Sequence, residues 1–350
     1  MSTSGRWAAL AATWLLWVAG CQGMALTAAK LYIKQEKPQQ AREQLELGLQ
    51  TEPSNPEIHY LLGELAGEDG RYEDMIGHFD RCLELSPKFK PKIHERRRFY
   101  WSRIYNRGIR EAGEPSPDFS SMAELFRVAT TISPTRIEAW RNLAFAHYRL
   151  DKYDEAIEVY EHVIELAPAD TATHSSLGVL YYTQGRLEEA EQTLGELLKL
   201  APTHTGALTN LAVIYTEQGR LSDAEDTYRK AIEIDPDSWE SHYNMGNLYW
   251  QQQNFAAARV AFERSVELDP EHRDSRYNLA ITYISLNETE AALPLLQHLS
   301  EETPEDKSVW RELGRIYANK GMFAQSEDAY ARAEPADSDE AADSDASAEE

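Results

Sequence analysis

The histidines and cysteines are the side chains of this 350-residue chain best suited to metal binding or nucleophilic catalysis. Ten histidines are spread along the chain, and His59, His174 and His242 are far apart in sequence. Because a metal ion needs its ligands within a few ångströms, we interpret these three as packing residues. Motifs of zinc proteases, serine hydrolases, nucleotide-binding loops and dinucleotide-binding folds are absent from the sequence. The sequence therefore predicts no enzyme, no metal site and no cofactor.

The two cysteines, Cys21 and Cys82, are too few for a disulfide framework or a zinc module. Cys82 falls where a small apolar residue is expected, and we predict that it is a buried core residue. Cys21 follows an apolar run from Trp7 to Gly20, which is too short to span a bilayer and is typical of a signal peptide.

The end of that run, Val18-Ala19-Gly20-Cys21, resembles the lipobox of bacterial lipoproteins. The resemblance implies a signal peptide over residues 1–20 and a mature chain that begins with lipidated Cys21. Gln22 stands where an aspartate would often mark retention in the inner membrane, so an outer-membrane anchor facing the periplasm is favoured. An ordinary signal peptide and an uncleaved anchor over residues 7–29 are the alternatives.

The composition predicts a folded, acidic and helix-rich protein. Hydrophobic residues make up 42% of the chain and charged residues 27%, which excludes a disordered chain and a polytopic membrane protein. Glycine and proline are scarce, with 18 and 15 copies, which argues against a many-stranded β protein. The net charge of −24 disfavours general nucleic-acid binding, because neutralising phosphates needs a basic surface.

A period of 34 residues runs through most of the chain. Prolines recur at this interval at positions 134, 168, 202, 236, 270 and 304, and also at 53 and 87. If proline is placed at position 32 of each unit, positions 8 and 20 hold small residues, as expected where two helices cross closely. Glycines at 70, 185, 219 and 321 fall at the predicted turn between the two helices of a unit.

The pattern resembles the tetratricopeptide repeat family over almost all of residues 22–334. Half of the family signature, W-x2-L-G-x2-Y, is present as Trp310, Leu313, Gly314 and Tyr317, and the other half as Ala156/Tyr160, Ala224/Tyr228 and Ala258/Phe262. The resemblance implies an all-α protein, an α-solenoid in which about nine helix-turn-helix units form a right-handed superhelix over residues 21–334. The units are 22–55, 56–89, 90–136, 137–170, 171–204, 205–238, 239–272, 273–306 and 307–334.

Three regions depart from the regular pattern. Unit three (90–136) is 13 residues longer than the period and shows no small residue at a clear position 8. We therefore predict that the first of its two helices, helix A, is extended. Pro294 falls inside the second helix, helix B, of unit eight, where we expect a kink and not a break. Residues 335–350 carry seven acidic residues and no aromatic residue, and we expect a disordered acidic tail.

In the tetratricopeptide family, helix A lines a concave groove that binds partners. Aromatic side chains dominate the corresponding positions here and favour an extended peptide or a helix as the ligand. These positions hold Phe145, Tyr148, Tyr182, Tyr243, Asn247, Trp250 and Tyr277. The alternative is that some of these side chains only pack against the next helix.

Asparagines recur at position 6, as Asn142, Asn210, Asn244 and Asn278. They resemble the asparagine ladder of the O-GlcNAc transferase superhelix, which grips a peptide backbone, and an amide offers both a donor and an acceptor. Hydrogen bonds between repeats are the alternative role. The carboxylate clamp of eukaryotic chaperone adaptors does not match, because Ser308 and Glu312 stand where it needs lysine or arginine.

Residues 88–110 hold nine lysines and arginines against one acid, Glu95. Arg96, Arg103, Arg107 and Arg110 fall on one helical stripe, which predicts an anion site for lipid headgroups, an acidic partner or the acidic tail. A solvated charged face is the alternative. In unit nine, Met322, Phe323 and Tyr330 are expected to be exposed and available for self-association or docking.

Taken together, these features predict a non-catalytic scaffold for protein–protein interaction, anchored by lipid in the bacterial cell envelope. Pilus, secretion or peptidoglycan assembly would be its setting, but this rests on analogy of fold. The alternatives are an accessory module for glycan or polysaccharide export and an accessory subunit of an enzyme encoded elsewhere. The sequence identifies neither the partner nor the oligomeric state.

Overall fold

The computed structural model describes residues 23–333, and the regular structure of this part of the chain is entirely helical. It contains eighteen α-helices and one 3₁₀ turn at Pro87–Phe89. The predicted all-α architecture is confirmed. The expected signal peptide, Cys21 and the acidic tail at 335–350 lie outside the described residues.

In chain order the α-helices are α1 (Met24–Lys34), α2 (Pro38–Thr51), α3 (Pro56–Glu68), α4 (Tyr72–Leu85), α5 (Lys90–Ala112), α6 (Phe119–Ile132), α7 (Ile137–Arg149), α8 (Tyr153–Leu166), α9 (Thr171–Thr183), α10 (Leu187–Leu200), α11 (Thr205–Glu217), α12 (Leu221–Ile234), α13 (Trp239–Gln251), α14 (Phe255–Leu268), α15 (Arg273–Ser285), α16 (Thr289–Glu302), α17 (Lys307–Asn319) and α18 (Phe323–Ala333). Odd-numbered helices are therefore helix A of a repeat, and even-numbered helices are helix B.

The helices form two compact units, one up to Thr173 and one from His174 onward. The first unit contains α1–α8 and the second α10–α18, while α9 spans the boundary. Within each unit, helix A packs most extensively against the helix B that follows it. The apolar core of each unit is thus built from successive helix pairs.

A close crossing between helix A and helix B recurs wherever position 8 is glycine. A methyl group built on Gly63 would lie 2.6 Å from the ring of Phe79, and one on Gly246 would lie 2.6 Å from the ring of Phe262. Both rings are completely buried. Because real Cβ atoms do not approach other atoms this closely, the glycines set the distance between the two helices.

Unit three has no small residue at position 8, where Arg97 stands, but a glycine further along the helix takes its place at the crossing. Its helix A, α5, is extended to 23 residues as predicted, and Gly108 faces the Phe126 ring, 2.7 Å from where a methyl group would stand. Gly108 lies three helical turns beyond the regular position 8. The same face of the helix therefore returns to the crossing, since each turn takes about 3.6 residues.

Chain direction at the A-to-B turns is set by one residue with a left-handed backbone. Gly70, Gly185, Gly219 and Gly321 have φ between 70° and 75°, as the sequence predicted. In four other units the same turn contains a non-glycine residue with positive φ, namely Glu36, Asp151, Gln253 and Asn287. Pro294 lies inside α16, which continues unbroken from Thr289 to Glu302.

Contacts at the start of helix A connect each repeat to the one before it. The residue at position 34 often caps the next helix A, as when the Ser238 hydroxyl accepts a hydrogen bond from the Ser241 backbone N–H at 3.2 Å. In units two, four, seven and nine, the histidine or tryptophan at position 4 also places a ring nitrogen within hydrogen-bond distance of the carbonyl of the preceding position-32 proline. Trp140 Nε1 donates to the Pro134 oxygen at 2.7 Å, and His242 Nε2 lies 3.1 Å from the Pro236 oxygen.

We expect Gly246→Ala to destabilise the fold, because its methyl group would overlap the Phe262 ring. Overpacking of this kind lowers the free energy of unfolding by about 1–3 kcal/mol. Gly195→Ala in α10 is the matched control, since nothing lies within 4 Å of its added methyl group. That substitution should stabilise the helix by about 0.5–1 kcal/mol. Thermal unfolding followed by circular dichroism compares the two, and equal midpoints would show that the crossing has room for a side chain.

Candidate functional site

In the first compact unit, Asn142 is engaged within the protein. Its Nδ2 donates to the Tyr105 hydroxyl at 3.2 Å and to the Glu138 carbonyl at 2.7 Å. Tyr105 belongs to α5, so this bond joins unit three to unit four, and Asn142 follows the alternative role of an inter-repeat bond. Phe145 and Tyr148 on the same helix remain exposed.

In the second compact unit, the structure brings three of the predicted groove residues together. Asn278 Nδ2 donates to Asn247 Oδ1 at 3.0 Å and lies 3.5 Å from the Tyr243 hydroxyl. Tyr243 also packs against the rings of Phe262 and His272. The contact joins α13 to α15 and leaves the Asn278 oxygen and the Asn247 amide hydrogens available for a ligand.

Asn210 and Asn244 differ from the other two position-6 asparagines. Both are half-buried, on α11 and α13, and neither side chain forms a hydrogen bond with another residue between 23 and 333. An amide that is partly removed from water and has no internal partner favours a ligand that supplies both a donor and an acceptor. These two residues are therefore the part of the predicted ladder that remains free.

The other aromatic residues of the second unit are half-buried on the same series of A helices. Trp250 packs against Phe255 with ring centroids 4.8 Å apart, and the Arg273 guanidinium lies 6.0 Å from the Tyr277 ring. Tyr182 donates its hydroxyl to Glu217 at 2.6 Å. Burial, followed by this hydrogen bond, raises the pKa of Tyr182 to about 12, so the phenol stays neutral at physiological pH.

The four arginines of the predicted basic stripe on α5 differ in their contacts. Arg96 Nε donates to Glu64 Oε1 at 2.6 Å, and the Tyr60 hydroxyl donates to the same oxygen at 2.6 Å. Arg96 therefore holds α5 against α3 and does not act as a free anion-binding residue, which corrects the sequence prediction. The reason is that Glu64 comes from the neighbouring repeat, where a pattern within residues 88–110 does not reveal it.

Arg103, Arg107 and Arg110 are exposed, and none forms an ion pair within the described part of the chain. Phe99 lies on the same side of the helix and is 53% exposed. These three arginines are the part of the predicted stripe that stays available.

Sequence reasoning missed an apolar cleft of about 810 Å³ between α12 and α14, floored by α13. Ile232, Met245, Tyr249 and Val260 line it, and Val260 is 60% exposed. The sequence did contain a signal for this cleft, because Val260 is apolar where the equivalent residues of units four to six are polar. These residues are Glu158, Gln192 and Asp226.

Three further predictions concern other parts of the molecule. Cys82 is fully buried, and burial raises the pKa of its thiol, in keeping with a core residue. In unit nine, Phe323 is 75% exposed and Tyr330 is partly exposed, although the Tyr330 ring also lies against Gly314.

Within residues 23–333, no cluster of three or more potential ligands is arranged to hold a metal ion. No helix in that range combines the length and the apolar character needed to cross a membrane.

Four sequence models of one repeat family match the chain. Three that are described as tetratricopeptide repeat match residues 26–88, 135–203 and 249–313, and one described as TPR repeat matches residues 212–253. Together these ranges cover well over half of the chain. The protein belongs to the tetratricopeptide repeat family.

Two solved structures support the all-α solenoid fold. A tetratricopeptide repeat protein from Parabacteroides merdae is 17% identical, with 67% of this chain and 91% of that chain covered and a TM-score of 0.53. The C-terminal part of a repeat protein from Cytophaga hutchinsonii is 15% identical, covers 67% of this chain and 93% of its own, and also has a TM-score of 0.53. None of the curated proteins compared with the chain matches it.

We expect Arg96→Gln to lower the free energy of unfolding by about 1 kcal/mol, because Glu64 would lose a charge-assisted hydrogen bond in a partly exposed site. Arg107→Gln is the matched control on the same helix and should change stability by less than about 0.5 kcal/mol. Equilibrium unfolding in urea measures both variants. Equal stability of the two variants would contradict a structural role for Arg96.

Proposed function

We propose that the protein is a non-catalytic scaffold that binds an extended peptide of a partner protein along the A helices of its second compact unit. The observation that carries this proposal is the pair of half-buried amides, Asn210 and Asn244, which lie on consecutive A helices and have no hydrogen-bond partner among residues 23–333. Membership of a repeat family known for protein interaction supports the same role.

The proposed binding mode follows from the chemistry of the groove residues. Each amide offers a donor and an acceptor, so it can pair with the backbone of a peptide whatever the peptide's side chains are. Tyr243, Trp250 and Tyr277 then supply aromatic surface for side chains of the peptide, at a small cost in side-chain entropy. The bond from Asn278 to Asn247 fixes part of this surface before the ligand arrives.

The groove is tested by affinity purification from detergent-solubilised membranes, followed by label-free mass spectrometry. The variant Tyr243→Ala/Asn244→Ala/Trp250→Ala is compared with wild type and with Asp226→Ala/Gln192→Ala, which changes two exposed residues of B helices. We expect one partner to be lost from the groove variant alone. For a purified client peptide, Kd should rise at least about tenfold, because buried aromatic anchors dominate such interfaces.

A milder variant, Asn210→Ala/Asn244→Ala, keeps all the aromatic packing and separates loss of binding from loss of folding. If all variants retain the same partners as wild type, the groove is not the binding site.

We further propose that Cys21 carries the lipid anchor and holds the protein in the cell envelope, most favourably at the outer membrane facing the periplasm. The support is the lipobox-like segment Val18–Cys21 after an apolar run of signal-peptide length. Envelope assembly, such as that of pili, secretion systems or peptidoglycan, is the proposed setting.

We expect Cys21→Ser to lose N-terminal acylation and to retain residues 1–20, because in the lipoproteins that this segment resembles the signal peptide is cut only before a cysteine that already carries lipid. Cys82→Ser is the control and should stay with the membrane. Fractionation with immunoblotting gives the distribution, and mass spectrometry of the N-terminal peptide tests for acylation. A wild-type protein whose N-terminal peptide carries no acyl chain on Cys21 would exclude the lipid anchor.

A further inference from the structure

A pocket of about 560 Å³ lies in the first compact unit, on a different face of α5 from Arg103 and Arg107. Its walls are formed by α5 and by the segment between α6 and α7. Basic and hydrogen-bonding groups dominate the lining, which includes His94, Arg97, Arg98, Trp101, Ser133, Thr135 and Arg136. Glu95 is the one acidic residue among the lining residues of this pocket.

Two buried N–H groups on the lining residues have no acceptor within the part of the chain that the structure describes. Trp101 is only 6% exposed, and its buried Nε1 forms no hydrogen bond within residues 23–333. The Nε of Arg97 is in the same situation, while its Nη2 donates to Asp80 at 2.6 Å. By contrast, Trp140 and Trp310 each donate to a proline carbonyl at 2.7 Å. Buried donors without acceptors are rare because they cost free energy. The positive charge of Arg97 is matched by Asp80, so the charge available to a ligand comes from the other guanidinium groups of the pocket.

The pocket also carries guanidinium groups with unused charge. The Arg136 guanidinium lies 4.0 Å from the centre of the Trp101 ring, and that ring stacks on Tyr105 at 4.5 Å. Neither Arg136 nor Arg98 forms an ion pair with any residue that the structure describes. A guanidinium presents its donors in a planar fork that matches a carboxylate, and stacking on a ring holds that fork in place. The pocket is therefore organised for an anion, in a chain whose net charge is −24.

We propose that this pocket binds carboxylate side chains of an acidic peptide segment on a partner protein. A pocket of this volume accommodates several peptide residues and is larger than a single small anion requires. Pro134 adds apolar surface, and Ser133 and Thr135 add hydroxyl groups, which suit the backbone and the small side chains of a peptide. This site is separate from the proposed groove of the second compact unit, and it uses charge where the groove uses amides and aromatic rings.

The probe is a fluorescein-labelled peptide with the sequence ADSDEAADSD, which corresponds to residues 336–345 of this chain and supplies five carboxylates. Fluorescence anisotropy follows its binding to the full chain at low salt. We expect saturable binding that weakens at least about tenfold in Arg98→Gln/Arg136→Gln, since charge-assisted hydrogen bonds are the strong ones.

Lys37→Gln/Lys152→Gln is the matched control, because it removes two exposed positive charges of the first compact unit that lie outside the pocket. Its Kd should stay within about twofold of wild type. Circular dichroism of every variant verifies that the fold is intact.

Three results would overturn the proposal. An equal loss of affinity in the control variant would show general charge attraction and no pocket. Equal binding of a peptide with asparagine and glutamine in place of its acids would exclude carboxylate recognition. Complete displacement of the peptide by an equimolar concentration of inorganic phosphate would identify a phosphate site instead.

Discussion

The close crossing of helix A and helix B is the constraint on which the rest of the structure depends. Where position 8 is glycine, the backbone of helix A lies directly against a side chain of helix B, as with Gly63 and Phe79. The crossing brings the two helices of a pair near enough to bury their apolar faces against each other, and packing on the neighbouring repeats completes that burial. It also fixes which side of helix A remains free for a ligand.

That free side is partly used by the protein itself. Asn142 and Asn278 form hydrogen bonds to neighbouring repeats, whereas Asn210 and Asn244 have no such bond to another described residue. Identical side chains at identical positions therefore differ in their hydrogen bonding, and the neighbouring residue decides whether a bond forms. Where Tyr105 or Asn247 supplies a partner, the amide stabilises the array, and elsewhere it remains available to a ligand.

The regular part of the fold was readable from sequence because its contacts are local and periodic. The 34-residue interval of prolines and the four turn glycines indicated the helix pairs, and the length of α5 was anticipated. Gly108 was missed because the extension moved it three turns out of register. The role of Arg96 was misjudged because its partner, Glu64, lies 32 residues away on another helix. The pocket beside Trp101 gave no periodic signal, since unit three has no counterpart elsewhere in the chain.

The contacts that set the helix geometry join residues that are close together in the sequence, and this affects how such a chain can change in evolution. The crossing of Gly246 with Phe262 lies inside one repeat, and the bond from Trp310 to the Pro304 carbonyl spans six residues. A duplicated or deleted segment of 34 residues therefore carries its own geometry with it. The number of repeats can therefore change by unequal recombination while the packing of helix A on helix B within each repeat stays the same. Unit three, with its irregular length, is the part least able to be copied in this way.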